Sequence, residues 1–285
     1  MFRYNFMRFP GFRDRALTLS YDDGTIHDKR LTEIMKKNGI KGTFNLNSAS
    51  FGKGRRMTLE EAKETFADDS FEVAVHGYVH FPLTSIYGNS DDLGAVTAEV
   101  AIDRNNLERE FGGIVRGMAY ACGEYDDNIV DTLKKCGIVY ARTVHKTYDF
   151  RIPTDWLRLH TTCHHAYENL MELLEEFLVP TDPDKYWRVE PKLFSLWGHS
   201  YEFADADNWE IIEKFCERAG GHDDVWYATN MEVYEYIHAF DSLVFSADMS
   251  KVYNPTAIPV YMRYYKKNYL INPGQTVSIV FPKDY

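Results

Sequence analysis

At 285 residues, with 45% hydrophobic and 26% charged side chains, the chain suits one large soluble domain or two small ones, burying its core without a disulfide framework or a structural metal. Its 43 acidic against 32 basic residues leave a net charge of -11, which counts against nucleic acid as a partner. Aromatic content is high at 15%, so aromatics beyond the core are candidates for lining a site.

In chain order, Ala16–Tyr21 reads as a strand, and a helix follows through Leu31, Ile34 and Met35 to a stop at Asn38-Gly39. Gly42–Asn47 is the next strand. Thr58 with Glu61 three residues later forms a capping-box signal for a second helix. Phe71–Val75 is a third strand, and the spacing of Val96, Val100, Leu107 and Phe111 predicts a helix closed by Gly112-Gly113. Strand signals at Ile114–Ala121, Ile138–Val144, Leu193–Trp197 and Val225–Thr229 alternate with helical ones over 126–136, 167–178 and 209–218. Residues 151–165 read as a loop holding at most one strand.

About seven strands alternating with helices predict an α/β fold with a parallel sheet, open or closed into a barrel. From about residue 241 the helical period disappears, and Tyr, Val and Ile runs are broken by Asn254-Pro255 and Asn272-Pro273-Gly274. The expected division is a catalytic unit over 1–240 and a small β appendage over 241–285, packed on the barrel or used for homo-oligomer formation.

No run of about 18 apolar residues is present, so no membrane-spanning helix and no membrane partner are expected. The opening MFRYNFMRFPGFRDRA mixes Arg with aromatics and makes a poor signal peptide. Cys122, Cys136, Cys163 and Cys216 form no C-x-x-C pair and read as reduced, consistent with a cytoplasmic address.

The chemistry-bearing residues fall at strand ends. Tyr21-Asp22-Asp23-Gly24 closes the first strand, where a turn can send both carboxylates into one cavity. Alone, D-D-G is equally an ordinary acidic turn. His76-Gly77-Tyr78-Val79-His80 follows the third strand, and two imidazoles with one carboxylate form a common zinc set. Asp23, His76 and His80 can therefore serve as ligands, leaving Asp22 free as a base on the metal-activated water. His199, after Leu193–Gly198, fits a general acid or a structural role.

In this order the motifs resemble those of the polysaccharide deacetylases, carbohydrate esterase family four, over residues 15–240. Ser20–Gly24 stands for T-F-D-D-G, and His76–His80 for H-[ST]-x-x-H with Gly77 at the small position. Leu196-Trp197-Gly198-His199 matches the final L-x-H with one extra residue. The resemblance implies a distorted (β/α) barrel and a hydrolase dependent on Zn²⁺, with Co²⁺, Ni²⁺ or Mn²⁺ as alternatives, that deacetylates an oligosaccharide or polysaccharide. It makes Asp22 the base, Asp23, His76 and His80 the metal ligands, and His199 the acid.

The third motif departs from R-x-P-Y-G. Aligning Gly123 with the family glycine puts Ala119 at the arginine place and Cys122 at the tyrosine place. The Cys122 backbone N–H remains an oxyanion donor. Arg116 is either the displaced arginine or a plain charged residue, and Tyr120 lies between them. Asp155-Trp156 matches the fourth motif, whose acid tunes the catalytic histidine and whose Trp walls the pocket, as Trp197 also would. His164-His165 falls outside the motifs. Competing readings are an amidohydrolase of small non-sugar amides and a non-catalytic carbohydrate-binding relative.

Overall fold

In the computed structural model, which describes residues 4–87, 93–180, 190–264 and 266–280, the sequence alternation becomes a parallel sheet with helices packed outside it. The strands are β1 (Met7–Arg8), β2 (Arg15–Asp22), β3 (Gly42–Leu46), β4 (Phe71–Val75), β5 (Gly117–Ala119), β6 (Tyr140–Lys146), β7 (Leu159–Thr161), β8 (Cys163–His164), β9 (Lys192–Gly198) and β10 (Val225–Tyr227). The last five are β11 (Val244–Phe245), β12 (Lys251–Tyr253), β13 (Val260–Tyr264), β14 (Lys267–Ile271) and β15 (Thr276–Ser278).

β2 is buried along its whole length, as a parallel strand covered on both faces requires. One edge of β2 pairs with β9, and the other pairs first with β10 and then with β3. The sheet continues in parallel through β4 and β5 to β6. β7 then pairs with β6, while β8, one residue further on, pairs with β9. The single bent stretch Leu159–His164 therefore joins the two edges and closes a distorted barrel. The sequence hid these strands because they are two and three residues long and carry the polar text Thr-Thr-Cys-His-His. The expected strand over 114–121 shrinks to β5, since Ile114 is exposed to solvent.

Leu17, Leu19, Phe44, Leu46, Val75, Met118, Phe194 and Leu196 anchor the main core, with Leu31, Met35, Val100, Leu133, Phe177 and Phe215 packed on it from the helices. The capping box forms as read: Thr58 Oγ1 accepts the Glu61 N–H, and the Glu61 carboxylate accepts the Thr58 N–H. Thr229 and Glu232 repeat the device at the helix Asn230–Asp241. All four cysteines are free thiols, with Cys163 and Cys216 buried and Cys122 exposed. Among the described residues no helix is long and apolar enough to cross a membrane.

Beyond that helix, β13 and β14 form a hairpin to which β1 adds from the amino terminus, and β11, β12 and β15 form a second small antiparallel sheet. Tyr236 ties the layers together: its hydroxyl donates to the Arg8 carbonyl and accepts the Tyr261 N–H at 3.0 Å. Truncation after Phe240 removes β13, the strand with which β1 pairs among the described residues, and uncovers Ala239, which packs with Val260 and Met262. We expect loss of soluble, cooperatively unfolding protein, read by circular dichroism and gel filtration. A truncated chain that stays folded while a full-length dimer dissociates would instead assign the tail to self-association.

Candidate metal centre and active site

The strand register brings Asp22 opposite Asn45, Tyr21 opposite Gly198, Leu46 opposite Val75, and Ala119 opposite Arg142. The carboxyl ends of β2, β3, β4, β5 and β9 thus share one layer, and Asp22, His76 and His199 stand on it. Asp23 has φ 84°, His80 φ 67° and Cys122 φ 57°, three of the eight non-glycine residues with positive φ in the described chain. Such conformations persist only where the surroundings hold them, and they collect at functional sites. Gly77 has φ 86°, and a Cβ there would lie 3.0 Å from Glu99 Oε1, so only glycine suits the turn between the histidines.

Asp23, His76 and His80 converge. Asp23 Oδ1 lies 3.5 Å from His80 Nε2 and 4.0 Å from His76 Nε2. The His76 Nδ1–H donates to the Ala119 carbonyl at 2.9 Å. A carbonyl only accepts, so Nδ1 carries the proton, and burial lowers the ring's pKa and keeps it neutral. The Nε2 lone pair then faces Asp22 Oδ2 at 3.8 Å as well as Asp23. Both Nε2 and Asp23 Oδ1 are buried without a hydrogen bond. Ligands of one tetrahedral zinc, each at ~2.0–2.1 Å, stand roughly 3.3–3.5 Å apart. The spacing, the orphaned lone pairs and the N₂O donor set fit a divalent cation. Arg56 lies beyond them, its Nη2 3.0 Å from Asp23 Oδ1.

Asp22 is held differently. Asn45 Nδ2 donates to its Oδ1 at 2.8 Å, and the buried Arg142 guanidinium pairs with Oδ2. Burial pushes this carboxyl up, yet Arg142, His76 and His199 outweigh it and hold the pKa at about 2. Arg142 also lies over the Trp197 ring at 4.6 Å, so Trp197 forms a wall of the site. His199 Nε2 is 3.9 Å from Asp22 Oδ2, across from His76. Its Nδ1–H donates to Glu202 Oε1 at 3.0 Å. Burial lowers the His199 pKa, but its hydrogen bond to Glu202 and the charge of Asp22 leave it raised.

A second cluster has similar chemistry and different spacing. Glu202 Oε2 lies 2.6 Å from His165 Nε2 and 3.2 Å from His164 Nε2. His164 Nδ1 accepts the Ala166 N–H at 3.1 Å, so its proton sits on Nε2, toward Glu202. His164, His165 and Glu202 form a second compact group of potential ligands, with Glu202 Oε2 buried and without a hydrogen bond. Gly198 makes the arrangement possible, since a Cβ there would stand 2.1 Å from His165 Nδ1.

Several residues marked by the sequence are placed elsewhere. Arg116 does not reach Asp22: it precedes β5 and pairs with Glu235 on the helix Asn230–Asp241. The guanidinium at Asp22 comes instead from Arg142, the register partner of Ala119 one strand along. Asp155 pairs with Arg158 and does not meet His199, whose carboxylate partner is Glu202. Trp156 packs on Tyr234 in a cluster containing Ala16 and Leu193, which begin β2 and β9, so it lies at the opposite end of the barrel. Tyr120 is buried near the layer and its hydroxyl donates to the Leu157 carbonyl at 2.7 Å. Cys122 sits in the exposed turn after β5. A cavity of about 530 Å³ lined by Asp149, Arg151, Asp155 and His160 contains none of the converging residues. Arg142 and Asn45 escaped the sequence reading, and Glu202, the acid one helical turn after His199, partners that histidine.

The family model described as polysaccharide deacetylase matches residues 11–141, from β2 into β6, a stretch that holds Asp22, Asp23, His76 and His80. Among solved structures, a candidate polysaccharide deacetylase from Mycobacterium smegmatis has 16% identity and a TM-score of 0.60, covering 83% of this chain and 94% of that one. The Xyl-CE4 domain of a multidomain xylanase from the hindgut metagenome of Trinervitermes trinervoides has 12% identity and a TM-score of 0.51, covering 79% of this chain and 92% of that one. At these identities the likeness is one of fold. No curated protein matches the chain significantly. Over residues 11–141, a stretch shorter than half of its length, the chain is similar to the polysaccharide deacetylase family.

Burial pushes the His165 imidazole down to about 4, against roughly 6.5 in an unfolded chain. Between those values the unfolded chain binds more protons, so stability falls as the pH drops through this window, by about 2–3 kcal/mol. Urea unfolding at pH 7 and pH 4 should show this slope, and His165→Gln should flatten it.

Proposed function

We propose that the chain is a divalent-metal-dependent deacetylase that removes acetyl groups from an N- or O-acetylated oligosaccharide or polysaccharide, with Zn²⁺ the simplest occupant. The observation that carries this reading is the buried, proton-free Nε2 of His76, which faces two carboxylates with no cation of the chain between them. Asp23, His76 and His80 would hold the ion. A divalent cation there polarises the acetyl carbonyl and acidifies a water molecule.

The remaining work falls to the chain. Asp22, ionised by Arg142 and oriented by Asn45, takes the proton of the attacking water. The Cys122 N–H, aimed by its left-handed turn, faces the developing oxyanion. His199 gives a proton from Nε2 to the leaving nitrogen or oxygen, while Glu202 fixes the tautomer through Nδ1. His199 Nε2 and the ligand His76 Nε2 each lie within 4 Å of Asp22 Oδ2, so acid, base and ligand border one space. Sugar contacts are expected from half-buried Tyr201 and exposed Phe81, because Tyr21 and Tyr120 are buried in the core.

Elemental analysis after metal addition and dialysis should find bound metal; none taken up overturns the reading. In an acetate-release assay across acetylated xylo-, chito- and muropeptide oligomers and small amides, Asp22→Ala should abolish turnover and keep metal. His76→Ala should lose both. His199→Ala should lower kcat by about 10²- to 10⁴-fold without loss of metal. Turnover of the small amides alone would move the substrate outside carbohydrates. Since Glu202 raises the His199 pKa, Glu202→Gln should shift the alkaline limb of the kcat profile to lower pH. An unmoved limb would remove Glu202 from this role.

A further inference from the structure

One buried polar assembly has no part in the roles above. Behind the His76–His80 turn, the helix Gly94–Phe111 presents Glu99 and Asp103, four residues apart on one face and both buried. Asp103 accepts two main-chain N–H groups, Ser48 on Oδ1 at 2.7 Å and His76 on Oδ2 at 3.2 Å, the latter shared with the Leu46 carbonyl at 3.0 Å. Glu99 Oε1 accepts the Val79 N–H at 2.7 Å, and the Glu99 carbonyl accepts the Tyr78 N–H at 3.0 Å. From the other side, buried Asn47 donates to the His76 and Gly77 carbonyls at 2.7 and 2.8 Å.

Among the described residues no lysine or arginine forms an ion pair with either carboxylate. Buried carboxylates without a counter-ion are costly, and the N–H groups that satisfy them, those of His76 and Val79 in the ligand turn and of Ser48 after β3, point to their purpose. The backbone leaves the sheet after Val75, and His80 must adopt a left-handed conformation to bring its ring back beside His76. Fixed acceptors on the helix replace the lost ladder bonds.

We propose that Glu99 and Asp103, with Asn47, are positioning residues that hold the His76–His80 turn in its ligating shape and thereby set the metal affinity of the site. This rests on the metal reading given above. Asparagine at 103 would turn an amide NH₂ toward one of the two N–H donors, so Asp103→Asn loses a bond. Glu99→Gln keeps its acceptor oxygen and serves as the conservative rescue of Glu99→Ala.

The test is competition of the full chain with a chromophoric chelator for Zn²⁺ and for Co²⁺, with the Co²⁺ visible spectrum reporting ligand geometry. Asp103→Asn and Glu99→Ala are expected to weaken binding by about 10- to 100-fold and alter the spectrum, the size of effect that outer partners of metal ligands produce. Glu99→Gln should return toward wild type. Glu72→Gln is the control for simple loss of stability. Glu72 accepts the hydroxyls of Thr43 and Tyr140 at the start of β4, far along the strand from the ligands, and its loss should leave affinity unchanged. If Asp103→Asn does not fold, the contrast between Glu99→Ala and Glu99→Gln decides. Folded Asp103→Asn and Glu99→Ala with wild-type affinity, or an equal weakening by Glu72→Gln, overturn the proposal alone. A wild-type chain that takes up no ion overturns the metal reading and the proposal together.

Discussion

The structure turns on one buried charge. Asp22 ends the most enclosed strand of the barrel, where an unpaired carboxylate would be protonated or would unfold its surroundings. Arg142 answers it across the barrel, itself fully buried and capped by Trp197, while Asn45 takes the other oxygen. Removing one partner of such a pair costs about 3–5 kcal/mol, because the other charge is left stranded. β3, β6 and β9 must therefore end at matching heights, and the rest of the site is built on that level.

Much of this was legible in the chain. Parallel strands covered on both faces give apolar runs, and the caps and glycine stops between them were readable one helix at a time. Asp22, Asp23, His76 and His80 were visible because each follows such a run directly. Arg142 was not, since Tyr-Ala-Arg-Thr-Val-His-Lys reads as an unremarkable strand, and nothing local says that its arginine points inward. Its meaning depends on β5 and β6 lying side by side with Ala119 opposite it. Arg116, nearer to the motif in sequence, stands before the strand begins and belongs to the far end of the barrel. The same limit applies to Trp156, whose pairing with Asp155 looked like a motif and whose ring packs beneath β2 and β9.

The aromatic excess takes on a structural meaning. Tyr21 is stacked on the His165 ring at 5.7 Å and faces Phe44, so it supports the layer from below. Tyr120 stacks on Tyr125 and hydrogen-bonds the chain near Leu157. These rings carry a stiff floor under side chains whose chemistry needs fixed distances. Only aromatics beyond that floor, such as Phe81, retain a face for substrate.

The two histidine–carboxylate clusters show why residue type alone does not define a metal centre. Both hold two imidazoles and one acid within a few ångströms. Around Glu202 the His199 Nδ1–H donates to Oε1, and the Ala166 N–H holds the His164 proton on Nε2, the ring atom nearer the carboxylate. Around Asp23 the commitment runs the other way. Ala119 claims the His76 proton on the far side of the ring, and the near side is left as a lone pair opposed to negative oxygen. One cluster orients His199 through Glu202 Oε1. The other has guanidinium groups at its margins, Arg56 on Asp23 and Arg142 on Asp22, and leaves the His76 Nε2 lone pair unpaired. Two backbone partners, a carbonyl behind His76 and an amide behind His164, thus set which ring nitrogen of each histidine carries its proton.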